Sequence, residues 1–309
     1  MVIPGLSWLL DQFWLVFTII VGCILTALYT VVLRARVNYA PNEIVLGGIA
    51  PNGITGFFDM ARRVSQMEGI MGFLTGTWPL YAIFFFRSTI GNSFLWAILP
   101  TIVTRLFFFI LEIPVIITVN RTITTHHTIS IFDPVGSFKA LYTPYERSKL
   151  WIIFFTPGVL FAEFLHLGFL IGLLLPLRDF LLVSRFGSGG FSGMMGTIVW
   201  YAVWLGISIG GSIILAPLEV ISGRLSVQYN TGIILSDDQR EADRERLLRG
   251  EPVADASGGE RVVVMRHDTD KGSYEGFAHC VRQVLREEGA RAFLRGWPWT
   301  FATLFWLGM

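Results

Sequence analysis

The sequence predicts an all-α membrane protein: six bilayer-crossing helices arranged as three tandem helix–loop helix–helix repeats. Three observations predict it. The first is composition: of 309 residues, 53% are hydrophobic and only 15% charged, against about 25% charged in average soluble proteins. The second is that the apolar residues run together. Trp14–Leu33 holds twenty residues without a charge, about the length that crosses a bilayer. The third is an internal repeat. Residues 56–76 and 276–296 share nine identities over 21 positions, where unrelated sequence would give about one or two. A repeat outranks local signals because it dictates architecture.

The first span is read at about Trp8–Leu33, ending on Arg34 and Arg36. A loop then leads to the first copy of the repeated unit. Phe57, Ala61 and Val64 line one helical face there, as Phe277, Val281, Val284 and Leu285 do in the second copy. Gly56 and Gly276 open the two units, and Glu68-Gly69 and Glu288-Gly289 stop their helices, since Gly accepts the left-handed conformation of a helix end. A short apolar run, then Gly76 or Arg295-Gly296, leads into a new helix. The unit is therefore a short amphipathic helix, a turn and the entry to a span. The flanking apolar runs weigh against a soluble helix-turn-helix duplicate.

The second span starts near Pro79 and reaches Pro100, with Arg87 inside it. The third is about Ile102–Val119 and contains Glu112 and Pro114; that proline removes a backbone hydrogen bond and kinks the helix. In the loop 121–147, Asp133-Pro134 and the run Gly136–Tyr142 suit a short surface helix. The fourth span is about Leu150–Leu182, beginning near Pro157 and carrying Glu163 and His166. The fifth is about Met194–Val220, with Pro217 near its end. Ser236–Lys271 has ten acidic and seven basic residues and few large apolar ones, so a disordered or mobile surface insertion is expected. The sixth span has about thirteen residues, or about 20 Å of helix against a core of about 30 Å. Either the chain is truncated or this helix stops within the membrane. The chain reads as one domain, 1–309, with repeats at about 8–101, 102–183 and 192–309.

Charge placement agrees. The long loops and their flanking helix ends hold 20 of the 24 Lys and Arg residues, the asymmetry that the positive-inside rule produces. The basic residues form no single stripe, so nucleic-acid binding is dropped. Cys23 and Cys280 read as small buried residues, and no metal-ligand spacing is present. His126-His127 reads as a solvated loop pair. No phosphate loop, nucleophile–base pair or paired carboxylates appear, so no enzyme, cofactor or metal is expected.

At this point the pattern resembles the mitochondrial carrier family. Its odd helices end in Pro-x-acid-x-x-base-x-base, and its loop helices end in acid-Gly-x4-aromatic-base-Gly. Residues 288–296 fit the second motif with Leu294 at the aromatic place, and residues 68–76 fit it with Thr75 at the basic place. Pro217, Glu219 and Arg224 fit the first, with Ser222 at a basic place. Aligned on it, the first repeat offers Tyr29, Val31, Arg34 and Arg36, and the second Pro114, Ile116, Val119 and Arg121. One acid, Glu219, remains of three, so the usual ring of gating ion pairs is eroded. The family's opposite-face motif has Arg178-Asp179 as its nearest remnant. The resemblance implies solute contacts about seven residues past each closing Gly: Ile83 after Gly76 and Thr303 after Gly296. The second repeat shows no closing Gly; counting from Thr156 gives Glu163.

Buried charges in a span mark function by default. Glu163, with His166, is read as a solute or proton-coupling site, as half of a structural pair with Arg87, or as an interface residue. Arg34, Arg36 and Arg224 bind anionic lipid at the basic face or simply end their helices. The resemblance implies a monomeric, multi-pass protein of a mitochondrial membrane, inner or outer, that carries an unidentified small solute by alternating access. The alternative is a carrier-fold scaffold or adaptor of the outer membrane that acts in membrane dynamics and transports nothing.

Overall fold

The computed structural model describes residues 6–41, 56–81, 101–125, 133–156, 158–181, 191–230, 262–266 and 272–307. Among these residues every regular element is helical. The first helix, α1 (Leu6–Val37), runs to Arg34 and Arg36 without a break. After it come α2 (Phe57–Met67) and α3 (Gly69–Leu74). Residues 77–81 then begin a further helix. The third predicted span is α4 (Thr101–Thr124), which contains Pro114. On the loop side lie α5 (Pro134–Leu141), α6 (Pro144–Ser148) and α7 (Trp151–Phe154). The helix α8 (Val159–Leu181) includes a π-turn at Leu170–Leu174. The longest helix is α9 (Phe191–Val227), and Pro217 lies inside it rather than at its end. Last come α10 (Phe277–Glu287), a 3-10 turn at Ala290–Leu294, and α11 (Trp297–Leu307).

Three of these helices hold segments long and apolar enough to cross a membrane: Val16–Val37, Val159–Leu181 and Ile198–Val227. Their large apolar side chains point outward. Ile19, Ile20 and Ile24 of α1 are exposed, as are Ile198, Ile209 and Ile213 of α9. A soluble helix would bury such a stripe; a bilayer accepts it, because each helix satisfies its own backbone hydrogen bonds.

The two copies of the repeated unit share a shape. Both amphipathic helices have eleven residues. The acid that caps each has nearly the same backbone angles, φ −115° and ψ −9° at Glu68 and φ −115° and ψ −15° at Glu288. The glycine that follows has positive φ in both, 65° at Gly69 and 81° at Gly289. Inward, Met60 and Val64 of one copy and Cys280 and Val284 of the other are buried at equivalent places.

Two sequence expectations are refined. The continuous helix of the predicted fourth span starts at Val159, beside the expected beginning near Pro157, and the part of the range from Leu150 is separate from it. Trp151–Phe154 is a separate short helix that packs on α4 at the loop side. The charged stretch 236–271 is not wholly a surface insertion. Its described part, residues 262–266, is packed inside: Val262 is 3% and Val263 2% exposed. These side chains join Val37 of α1, Met60 of α2, Val119 of α4 and Val227 of α9 in one apolar cluster. Three apolar residues in a row, Val262–Val264, had enough apolar surface to drive that burial.

Candidate functional site

A ring of arginines closes the loop side. Arg34 of α1, Arg121 of α4 and Arg224 of α9 are nearly inaccessible, at 1%, 1% and 3%. Each pairs with the acid of a loop-side segment. Arg34 Nη1 lies 2.7 Å from Glu68 Oε2. Arg121 grips both oxygens of Glu146, each at 2.8 Å. Arg224 grips both oxygens of Glu288, one at 3.0 Å. The Nε of each arginine then donates to a backbone carbonyl of the next helix round: Arg34 to Ile123 at 2.8 Å, Arg121 to Ser226 at 3.2 Å, Arg224 to Arg36 at 3.0 Å. Every acceptor sits two residues past its own helix's arginine. The contact recurs three times and closes on itself.

This geometry corrects the aligned register of the first repeat. Arg34, not Arg36, is the partner-equivalent of Arg121 and Arg224. Tyr29 therefore stands where Ile116 and Glu219 stand, and Val32 where Val119 and Ser222 stand. It also supplies what the second repeat lacked. Its acid is Glu146, which the sequence reading missed. The signal was there: Thr143-Pro144-Tyr145-Glu146 forms a complete capping box. The glycine before the even helix is Gly158, with φ 84°, and not a place taken by Thr156. A Cβ at Gly158 would meet the backbone nitrogen of Phe277 at 2.4 Å. Gly296, with φ 74°, has the matching place before α11, and a Cβ there would meet Val32 at 2.8 Å and Arg36 Nε at 2.9 Å.

Glu146 is held by more than charge. Burial pushes its carboxyl up, but the Arg121 bonds and the backbone N–H groups of Asn230 and Thr143 outweigh that and hold it below the usual carboxylate range. Glu288 also takes Arg295, at 2.7 Å. The predicted role of Arg34, Arg36 and Arg224 toward lipid head groups is therefore overturned. All three are buried and held by protein groups. The Arg178–Asp179 remnant is a local, largely exposed pair at 2.6 Å, a type that contributes little.

Inside the ring lies a polar cluster without threefold equivalents. Glu219 of α9 pairs with Arg36 of α1 and accepts from the Thr300 hydroxyl at 2.5 Å. It also lies 3.4 Å from His166 Nε2. Arg36 donates onward to Thr300 at 2.8 Å and to the carbonyl of Gly296 at 3.2 Å. Glu163, one turn before His166, accepts from the Ser222 hydroxyl. It thus faces α9 rather than lipid. Tyr29 reaches Asn120 at 3.2 Å, and Asn120 donates to Ser226 at 2.7 Å. Glu163 and His166 lie one turn apart on α8, and each meets a side chain of α9. Thr303 is not part of the group: it is exposed and bonds only within its helix, to the Thr300 carbonyl. Thr300, unremarked in the sequence, holds the place one turn earlier. Ile83, Arg87 and His126-His127 lie outside the described residues.

Residues 262–266 bind the end of α1. Tyr39 N–H donates to the Val264 carbonyl at 2.8 Å, and Val264 N–H to Asn38 Oδ1 at 3.1 Å. Arg266 forks onto Glu287 at 3.0 Å through two nitrogens. Burial and the Glu287 carboxylate that it donates to push the Tyr39 phenol well up. Burial also pushes the Cys280 thiol up to about 12, so it is an inert packing residue. A groove of 730 Å³ lies between α1, α2 and the start of α11, bordered by Leu28, Val32, Phe57, Arg295, Trp297 and Trp299. Among the described residues no group of His, Cys, Asp and Glu has metal-binding geometry.

Among the described residues the geometry defines an all-helical arrangement with helices fit to cross a membrane and a sealed polar ring at one end. Comparison with protein-family models, with curated proteins and with solved structures gave no match.

Proposed function

We propose that the chain is a carrier-like membrane protein of six spans in three repeats, which moves a small solute across a mitochondrial membrane by alternating access. The observation that carries this is the cyclic ring. Arg34, Arg121 and Arg224 each bind one loop-side acid and the next helix's carbonyl at one fixed offset. Three chemically alike contacts that close a cycle are what a threefold duplicated unit produces. The mitochondrial assignment rests on the sequence resemblance.

In this reading the ring holds each odd helix to its loop helix as a rigid body. The solute site is the inner cluster, and the Arg36–Glu219 pair is the gate. Side chains of Glu219 and His166 remain 22% and 24% exposed, while the ring arginines are sealed. The state is closed on the loop side and open to the other. Rocking of the repeats would part Arg36 and Thr300 from Glu219 and open the loop side. The protein works as a monomer in the bilayer, with anionic head groups at the groove by the exposed Arg291.

The second reading, an outer-membrane scaffold or adaptor, is favoured by one observation. Tyr29, Ile116, Val119 and Ser222 leave the gate with one ion pair. Reconstitution into liposomes separates the two. Uptake of any solute among nucleotides, carboxylates, amino acids and amines supports transport; a folded preparation that takes up none supports the scaffold.

A further inference from the structure

We infer that the transported solute is a cation, bearing an ammonium or guanidinium group, and that Glu163 is the residue that receives it; this rests on the transport reading above. Among the described residues, the charged groups around the bundle axis leave Glu163 without an opposite charge in ion-pair contact. Glu68, Glu146 and Glu288 are matched by Arg34, Arg121, Arg224 and Arg295. Glu219 has Arg36, the Thr300 hydroxyl and His166 in contact. Glu163 has one bond, from the Ser222 hydroxyl, and among the described residues no cation within ion-pair distance. His166, Glu219 and Glu112 all lie within electrostatic reach of it; the imidazole, which also contacts Glu219, opposes its charge, and the two carboxylates add to it.

A carboxylate at bilayer depth is either protonated or matched by a cation. A solute cation would supply the counter-charge that Glu163 lacks among the described residues. The N–H groups of an ammonium or guanidinium would form charge-assisted hydrogen bonds to it. The rest of a polar solute meets Ser222 and Thr300. An anion would add like charge beside Glu163, a juxtaposition that disfavours wrong ligands. Arg36 does not offset this, because Glu219 and Thr300 already hold it.

The test uses the full chain in liposomes and four labelled probes: L-arginine, putrescine, malate and ADP. Uptake of the two amine-bearing probes is expected to exceed that of malate and ADP by about tenfold or more. Glu163→Gln should abolish most of that uptake while its unfolding midpoint in detergent stays near wild type, and Glu163→Asp should restore part of it. Faster uptake of malate or ADP, or cation uptake unchanged in E163Q, would overturn the inference and leave the transport reading standing. No uptake of any probe by folded protein would remove the transport reading itself. The wild-type cation-to-anion ratio decides the matter even where E163Q fails to fold.

Discussion

The ring and the inner cluster are both polar, both buried between helices, and less alike than their composition suggests. In the ring each charge has its opposite, and the Nε-to-carbonyl contact appears three times. In the cluster each residue is unique: a tyrosine, an isoleucine and a glutamate hold the equivalent places at 29, 116 and 219. A repeated, saturated contact is a device for holding a shape. An unrepeated, unevenly matched one is, in the proposed transport reading, where a ligand would bind. Substitutions in the ring should therefore lower stability, and those in the cluster should alter solute handling.

The largest effects are expected in the ring. Glu288→Ala and Glu146→Ala each leave buried arginine charge uncompensated, a loss of about 3–5 kcal/mol. Unfolding midpoints in detergent should rank E288A lowest, because Glu288 serves both Arg224 and Arg295. Glu68→Ala should cost least, since Glu68 is 17% exposed and meets Arg34 through one nitrogen. Equal losses at all three, or none, would break the comparison.

The Glu146 pair also sets a pH dependence. Its folded carboxyl is held below the unfolded value of about 4.3. Its contribution is therefore complete above that value and is lost as pH falls through the lower, folded one. Midpoints measured from pH 7 to pH 3 should fall at the acid end, and Glu146→Gln should flatten that part of the curve. A smaller loss, about 1–3 kcal/mol, is expected for Gly158→Ala, which forces a side chain into positive φ against the Phe277 backbone. Tyr39→Phe removes the bond to Glu287 and should cost about 1 kcal/mol. At the small end of the scale, Ser222→Ala takes one hydroxyl from Glu163 and should move the midpoint by less than about 1.5 kcal/mol. Its uptake rate should change more than its stability does. If S222A lost as much stability as E146A, the cluster would be part of the scaffold.

Much of the fold could be read from the chain. The amphipathic helix at Phe57–Met67 could be read from its apolar stripe, because Phe57, Ala61 and Val64 form a local periodicity. Glu68-Gly69 and Glu288-Gly289 stop their helices for a local reason as well. Glu163 and His166 stood out because a charge inside an apolar run is visible without any neighbour. The register of the first arginine was not visible. Arg34 and Arg36 differ by two residues, and the sequence around them offers no proline or acid to choose between them. Glu146 was overlooked because its spacing from Arg121, 25 residues, matches neither 34 from Arg34 to Glu68 nor 64 from Arg224 to Glu288. The five residues 262–266 lay hidden in a charged stretch whose average composition argued against burial.

By itself the sequence determined the membrane-crossing character, the helices and the duplicated unit, since hydropathy and the 3.6-residue period act along one segment. Tertiary structure alone decided which arginine meets which acid and which carboxylate stays unmatched. Ion pairs form across helices, and the helix that packs alongside sets the partner, at separations that no spacing rule along the chain encodes.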